Sequence, residues 1–298
     1  MEHLGVLGAG RMGLPIIARL TAAGHRVTVF DVDEKRTRLV TELGAGTAVS
    51  AEALAAEADV LITVLPGPLE LQAAMTGPGG ALPRLRPESC WLDFTSTSPG
   101  VAADIAAAAS ERGVLSVGAP MAGNPGDADA GTLGFYVGGS HDAIDRVMPL
   151  LHILGDASRL KIMGPNVADG YVTKLLANTL WFGQAIAVSE ALLLGQAAGL
   201  DLRTLRNTLE VSPGGSSFLT HHVDALLQGD YLTTFGIDRV VEELDTVVRL
   251  AEDAGTPHDL TTLVAHLHRS ALNEFGPVGG ELLGARLLEW RAGRTLCT

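Results

Sequence analysis

Cysteine is nearly missing from this chain: 298 residues hold two, Cys90 and Cys297, far apart in sequence. No disulfide framework or CxxC metal pair can be built from them, which fits a reducing, cytoplasmic setting. Clustered positive charge is missing too. The formal net charge is −13, so neither nucleic acid nor an anionic membrane surface is expected as a partner, because both demand a basic face. Long apolar runs are also lacking. The longest uncharged stretch near the middle, Leu175 to Ser189, is too short to span a bilayer and includes Asn178 and Gln184. The first residues place Glu2 ahead of a short glycine-rich apolar run and do not read as a signal peptide. Lysine is the scarcest charged residue: of 21 basic residues, only Lys35, Lys161 and Lys174 are lysines. Five histidines cluster beyond residue 220 (His221, His222, His258, His266, His268), but neighbours one or two apart do not share a helix face and no HExxH occurs. No metal site is expected.

What is present is a 47% hydrophobic chain, enough for a large core. Its first half alternates short apolar runs with alanine-rich helical patterns. Strands are predicted at 3–8, 26–31, 59–65, 90–95, 114–118, 133–138 and 160–163, with helices at 12–23, 34–43, 51–56 and 101–111. Such alternation implies βαβ units and a mostly parallel sheet. From Pro165 onward a helical pattern runs for roughly 30 residues, and all that follows also reads as helix. The predicted fold is therefore α/β: an N-terminal Rossmann domain over residues 1–163, then a long interdomain helix and an all-α C-terminal domain over 164–298.

Gly8-Ala9-Gly10-Arg11-Met12-Gly13 is a GxGxxG between a predicted strand and a predicted helix. The first glycine permits the turn and the second admits a pyrophosphate. The third lets helix and strand pack, so that the helix N-terminus faces the phosphates. Asp31 closes the second strand, 23 positions after Gly8, where its carboxylate would bind ribose hydroxyls and repel the 2′-phosphate of NADP. NAD is the expected cofactor, with NADP the less favoured one because Lys35 and Arg36 lie close by. Lys174 sits in the long helix with Asn178 one turn further on. A lysine ammonium can protonate a developing alkoxide and its neutral form can take the proton back, whereas arginine stays charged.

With these motifs on the page, the sequence resembles the β-hydroxyacid dehydrogenase family, whose members include 3-hydroxyisobutyrate dehydrogenase, tartronate semialdehyde reductase and 6-phosphogluconate dehydrogenase. Gly8 to Gly13 with Met12 is similar to its GxGxMG, Leu65-Pro66 to its Leu-Pro, and Asp93 to Pro99 to its Asp-x-Ser-Thr-x-x-Pro. Gly118 to Leu133 resembles its substrate loop, and Gly170 to Lys174 with Asn178 its catalytic helix. The resemblance implies hydride transfer between NAD and a small β-hydroxyacid or its semialdehyde. It implies Lys174 and Asn178 as catalytic residues, and Ser96, Ala122, Gly123 and Asn124 as substrate-binding. The cofactor falls to Gly8, Gly10, Arg11, Met12, Gly13, Asp31, Leu65, Pro66 and Ser96. It also implies a homodimer or higher homo-oligomer formed through the C-terminal domain. The chain departs from the family where Asp-Ala-Pro-Val-Ser-Gly-Gly becomes Gly118 to Asn124, so that Gly118 replaces an aspartate and Ala122 a serine. Ala177 replaces the first of two asparagines, and Glu242-Glu243-Leu244 stands for Lys-Asp-Leu. These departures keep open an imine reductase of the same architecture, or a non-catalytic NAD-binding protein.

Overall fold

A computed structural model describes residues 2–297. The chain divides into two compact units, Met1–Lys174 and Leu175–Thr298. Nine strands of the first unit form one sheet: His3–Leu7 (β1), Arg26–Phe30 (β2), Gly46–Thr47 (β3), Val60–Thr63 (β4), Cys90–Asp93 (β5), Leu115–Gly118 (β6), Met121–Ala122 (β7), Leu133–Gly139 (β8) and Gly155–Gly164 (β9). Their order is β3-β2-β1-β4-β5-β6-β8-β7, with β9 also on β8. The first six strands are mutually parallel; β8 runs antiparallel to β6 and β7. Between them lie Gly13–Ala22 (α1), Glu34–Glu42 (α2), Ala51–Glu57 (α3), Pro68–Thr76 (α4), Pro99–Ser110 (α5), Pro125–Ala130 (α6) and His141–Leu154 (α7).

Strands β1, β4 and β5 are buried throughout, as expected where helices cover both faces of a parallel sheet. Successive side chains point to opposite faces. Ile62 and Leu92 therefore join Ile16, Ile17 and Leu20 of α1 and Val147, Leu150 and Leu151 of α7 on one side. Leu61 and Trp91 join Leu54 of α3, Leu71 and Met75 of α4 and Ile105 of α5 on the other. The strand order reverses direction between β1 and β4, and the carboxyl ends of strands at such a switch point are where ligands bind.

Several elements differ from the sequence expectation. Helix α7 was not expected because Pro149 interrupts its pattern, yet Ser140 caps it and six buried apolar side chains hold it to the sheet. Strand β9 begins at Gly155 rather than Leu160; its polar start, Asp156 to Arg159, hid it. Helix α6 and the two-residue strands β3 and β7 were too short to show a period, and α4 buries only Leu71 and Met75 while Leu69 is exposed, so its apolar residues do not mark one face.

The long helix runs over Val167–Ala197 (α8) and spans the division between the units. Its first turns approach the sheet closely: a side chain at Gly170 would strike the Tyr136 carbonyl and one at Gly138 the Asn166 carbonyl. The missing side chain at Gly170 serves packing, its space being taken by the backbone of β8.

The second unit holds the rest of α8 with Leu202–Glu210 (α9), Ser217–His221 (α10), Val223–Leu227 (α11), Ile237–Ala254 (α12), Asp259–Phe275 (α13) and Leu283–Ala292 (α14). Helix α12 buries Ile237, Val240, Val241, Leu244 and Val247, a stripe at helical spacing. It packs on α13 through Val264 and Ala265. Trp181 sits edge-on to Phe182, Phe218 and His222, a core position. Among the described residues no helix is long and apolar enough to cross a membrane.

Candidate active site

The β1–α1 loop shows why three glycines stand there. Gly8 has φ +101°, and a side chain on it would strike the Val64 carbonyl beyond β4; one on Gly13 would strike the Gly8 carbonyl. Gly10 differs, because the nearest atom to an added Cβ is Arg36 Nη1 at 3.6 Å. No atom of the fold crowds a side chain at position 10, and a glycine there leaves the loop backbone open to close approach from outside. The neighbouring helix start is also prepared for an anion. Ser50 and Ser98 cap α3 and α5 with their side chains, whereas Met12 at the start of α1 makes no side-chain cap and no acid lies in that first turn. The positive end of α1 therefore faces the loop without a carboxylate of its own.

Asp31 follows β2 beside this loop. Its Oδ2 accepts from Ala9 N at 2.7 Å and its Oδ1 from Asp33 N at 2.8 Å. Arg36 reaches Asp31 Oδ2 at 3.4 Å and Asp33 Oδ2 at 3.6 Å. Asp31 thus shapes the glycine loop as well as standing where a ribose would lie, and Arg36 is already paired with two carboxylates. Next to them Val32 is 92% exposed, an apolar surface beside the proposed ribose position. Across the switch point Leu65 N donates to Thr95 Oγ1 at 3.1 Å, which sets Leu65 and Pro66 at the end of β4. The cradle fits a dinucleotide: an open glycine backbone at position 10, a helix start without a side-chain cap and a carboxylate after β2.

At the end of β5 the chain continues into Thr95, Ser96 and Thr97. Lys174 Nζ, from the first part of α8, donates to Ser96 Oγ at 2.7 Å. Both side chains are partly exposed, while Asp93 below them is 0% exposed. Asp93 accepts from Thr63 Oγ1 at 2.6 Å, Thr95 N at 3.0 Å and Tyr171 Oη at 2.5 Å. Burial pushes its carboxyl up to about 6, against the pull of these donors. Burial and the adjacent Asp93 push the Tyr171 phenol well above its ordinary range.

The segment from 118 to 131 is more ordered than the flexible turn its glycines suggest. Met121 and Ala122 pair with Phe135 and Gly134. Arg159 Nη2 donates to the Ala122 carbonyl at 3.3 Å. Asn124 caps α6, its Oδ1 accepting from Gly126 N at 2.8 Å and Asp127 N at 3.2 Å, and its own N–H donates to Asp127 Oδ2. Its carbonyl oxygen therefore serves the helix start, while Gly123, at φ +138°, shapes the turn before it. In the second unit Asn178 Nδ2 donates to the buried Glu243 Oε2 at 2.7 Å, and Glu242 pairs with Arg239 at 2.8 Å. Among the described residues no group of three His, Cys, Asp or Glu side chains could hold a metal ion. Sequence reasoning missed Asp93 and Tyr171 as partners; Asp93 stood in a quoted motif, but nothing local links it to a residue 78 positions away.

The parallel sheet, the glycine cradle at its switch point and the acid after β2 define a dinucleotide-binding α/β protein. Residues 3–167 match the family model for the NAD binding domain of 6-phosphogluconate dehydrogenase, and residues 168–281 that for the NAD-binding domain of NADP-dependent 3-hydroxyisobutyrate dehydrogenase. The chain is 30% identical to the NAD-dependent L-serine dehydrogenase of Pseudomonas aeruginosa, over 92% of this chain and 93% of that one. It is 35% identical to the 3-hydroxyisobutyrate dehydrogenase of the same organism over 72% of each chain. The 3-hydroxyisobutyrate dehydrogenase of Mycobacterium tuberculosis, solved with L-serine, superposes with a TM-score of 0.87 at 25% identity, covering 96% of this chain and 99% of that one. The chain belongs to the β-hydroxyacid dehydrogenase family of NAD(P)-dependent oxidoreductases.

Proposed function

We propose that the protein transfers a hydride reversibly between NAD and a small β-hydroxyacid or its semialdehyde, with Lys174 as the general acid for reduction and general base for oxidation. The observation that carries this reading is the Lys174 Nζ–Ser96 Oγ bond of 2.7 Å, which holds a proton-transferring group and a hydroxyl together beyond the end of β5. In this reading residues 1–163 bind the cofactor, and residues 164–298 supply the helix and the C-terminal domain.

Bound NAD supplies or takes up the hydride. The glycines Gly8, Gly10 and Gly13 with Arg11 and Met12 form the pyrophosphate cradle. Asp31 orients the ribose and discriminates against an added phosphate, while Leu65 and Pro66 border the cofactor. Ser96 holds the substrate oxygen near Lys174 Nζ, which gives its proton to the developing alkoxide and takes it back in the other direction. Asn178 helps align the reacting groups from the next turn of α8. Gly123 and Asn124 offer main-chain and amide donors to the substrate carboxylate, with Ala122 leaving that end of the pocket one hydroxyl short. L-serine, itself a β-hydroxyacid and named for two of the similar proteins, is a candidate substrate.

The reading includes a homodimer or larger homo-oligomer through the C-terminal domain, supported by the exposed Leu176, Leu180 and Leu194 on one helix. It also includes a cytoplasmic setting, in keeping with two cysteines that stand free, Cys90 buried and Cys297 exposed. The test is NAD reduction with short hydroxyacids, L-serine and 3-hydroxyisobutyrate among them, beside amino alcohols and amines. Turnover of hydroxyacids is expected. Turnover of amines alone would make the protein an imine reductase, and none at all, with NAD bound, a non-catalytic NAD-binding protein.

A further inference from the structure

We propose that Asp93 and Tyr171 are positioning residues, a buried clamp that holds Lys174 against Ser96; this rests on the reading of Lys174 as the proton-transfer group. Two bonds tie the first turns of α8 to the end of β5. Tyr171 Oη donates to Asp93 Oδ2 at 2.5 Å and Lys174 Nζ to Ser96 Oγ at 2.7 Å. The donors lie three residues apart on α8, hence on one face, and the acceptors three residues apart on the strand end. The inner bond is dry, with Asp93 0% and Tyr171 1% exposed.

The Asp93 carboxylate gathers more than the helix. Thr63 Oγ1 of β4 donates to it at 2.6 Å and itself accepts from Trp91 Nε1 at 2.9 Å. Thr95 N donates at 3.0 Å, so the residue next to Ser96 is fixed by the same carboxylate. A satisfied polar network in a dry core selects one arrangement of the elements it joins, because any shift would leave a buried group unpaired. The space for the phenol ring is built in. A Cβ at Gly118 would lie 2.5 Å from Tyr171 Cε2 and 2.6 Å from the Val167 carbonyl. Gly118 is one of the chain's departures from its family, and the missing side chain is what admits the ring. Phenylalanine would fill the same space, so the hydroxyl is present for Asp93 and not for packing.

Tyr171→Phe in the full-length enzyme tests the clamp. With hydroxyacid oxidation as the assay, kcat should fall about 10- to 100-fold, the cost of a small misplacement of a catalytic group, while NADH binds within twofold of wild type. Asp93→Ala should lower kcat at least as far, since it also frees Thr63 and Thr95 N, and adding Tyr171→Phe to it should cost nothing more, because the contact the two residues share is already gone. In a Lys174→Ala background Tyr171→Phe should change nothing further. A readout without turnover comes from the three lysines: in protein labelled with 13Cε-lysine, Tyr171→Phe should move the Lys174 resonance and leave Lys35 and Lys161 in place. A Tyr171→Phe enzyme with a lowered melting point but wild-type kcat, or an unmoved Lys174 resonance, overturns the clamp. Lys174→Arg separates the two claims: wild-type kcat there sinks the reading of Lys174, whereas an inactive Lys174→Arg beside a fully active Tyr171→Phe sinks only the clamp.

Discussion

Replacing Asp31 with asparagine changes one atom and removes one charge, and the consequences can be worked from its surroundings. The side chain is 5% exposed and accepts two short backbone bonds, from Ala9 N and Asp33 N. An asparagine retains one acceptor oxygen, so one of the two N–H groups faces an amide donor instead. Losing one hydrogen bond to a charged acceptor costs about 1.5–3 kcal/mol, which is about 10- to 150-fold in affinity if the glycine loop must be restored before NADH binds. NADPH should lose less, because removal of the carboxylate also removes its repulsion of the 2′-phosphate. Arg36 strengthens the expectation for the wild type, since its guanidinium lies 3.4 Å from Asp31 and 3.6 Å from Asp33 and is already neutralised. Fluorescence titration of both cofactors into wild type and Asp31→Asn is the assay, with thermal melting as the control for folding. The wild type should prefer NADH, and the variant should bind both more weakly with a narrower ratio. A wild-type preference for NADPH, or an Asp31→Asn variant with unchanged affinities, would refute the reasoning.

Three further outcomes are expected. Ala122→Ser should lower the KM of a carboxylate substrate in steady-state assays, since one added bond to a charged group contributes about 1.5–3 kcal/mol; a raised KM would show a pocket shaped for something else. Gly118→Ala should destabilise the protein by about 1–3 kcal/mol in urea unfolding, because its methyl group meets Tyr171 and the Val167 carbonyl. Asp93 titrates at about 6 in the folded protein, against 3.8 for an ordinary aspartate, so the folded state holds a proton that the unfolded state has lost between these values. Its contribution to stability is therefore greatest below about pH 4 and declines as pH rises to about 6. The stability of the wild type minus that of Asp93→Asn should fall across this window and then level off; a flat difference would contradict the assignment.

Much of the cofactor end was legible because its signals are local. A strand, three glycines, a helix and an acid at the end of the next strand all fall within residues 3–31, and each is dictated by its neighbours in the chain. The long helix was legible for the same reason, from Pro165 and an unbroken apolar pattern. What escaped notice depends on contacts between distant segments. The Asp93–Tyr171 bond joins residues 78 positions apart, and the purpose of Gly118 appears only once the phenol ring is seen beside it. Asn124 stands among the substrate-binding residues that the resemblance implies, and only the geometry of Pro125–Ala130 shows that its side-chain oxygen also caps a helix. Helix α7 was hidden by Pro149, whose lost hydrogen bond is outweighed by the buried face formed by Ile144, Val147, Leu150, Leu151 and Leu154.

The central claim is that Lys174 transfers the proton, and Lys174→Arg tests it most directly because arginine keeps the positive charge and cannot give up its proton at ordinary pH. The measurement is kcat for hydroxyacid oxidation by the purified, folded variant, with NADH affinity measured beside it. Removing a positioned acid–base group should lower the rate by about 10²–10⁴, while NADH binds almost normally through the Gly8–Gly13 loop and Asp31. Near wild-type kcat in Lys174→Arg would show that the charge suffices and that another group moves the proton.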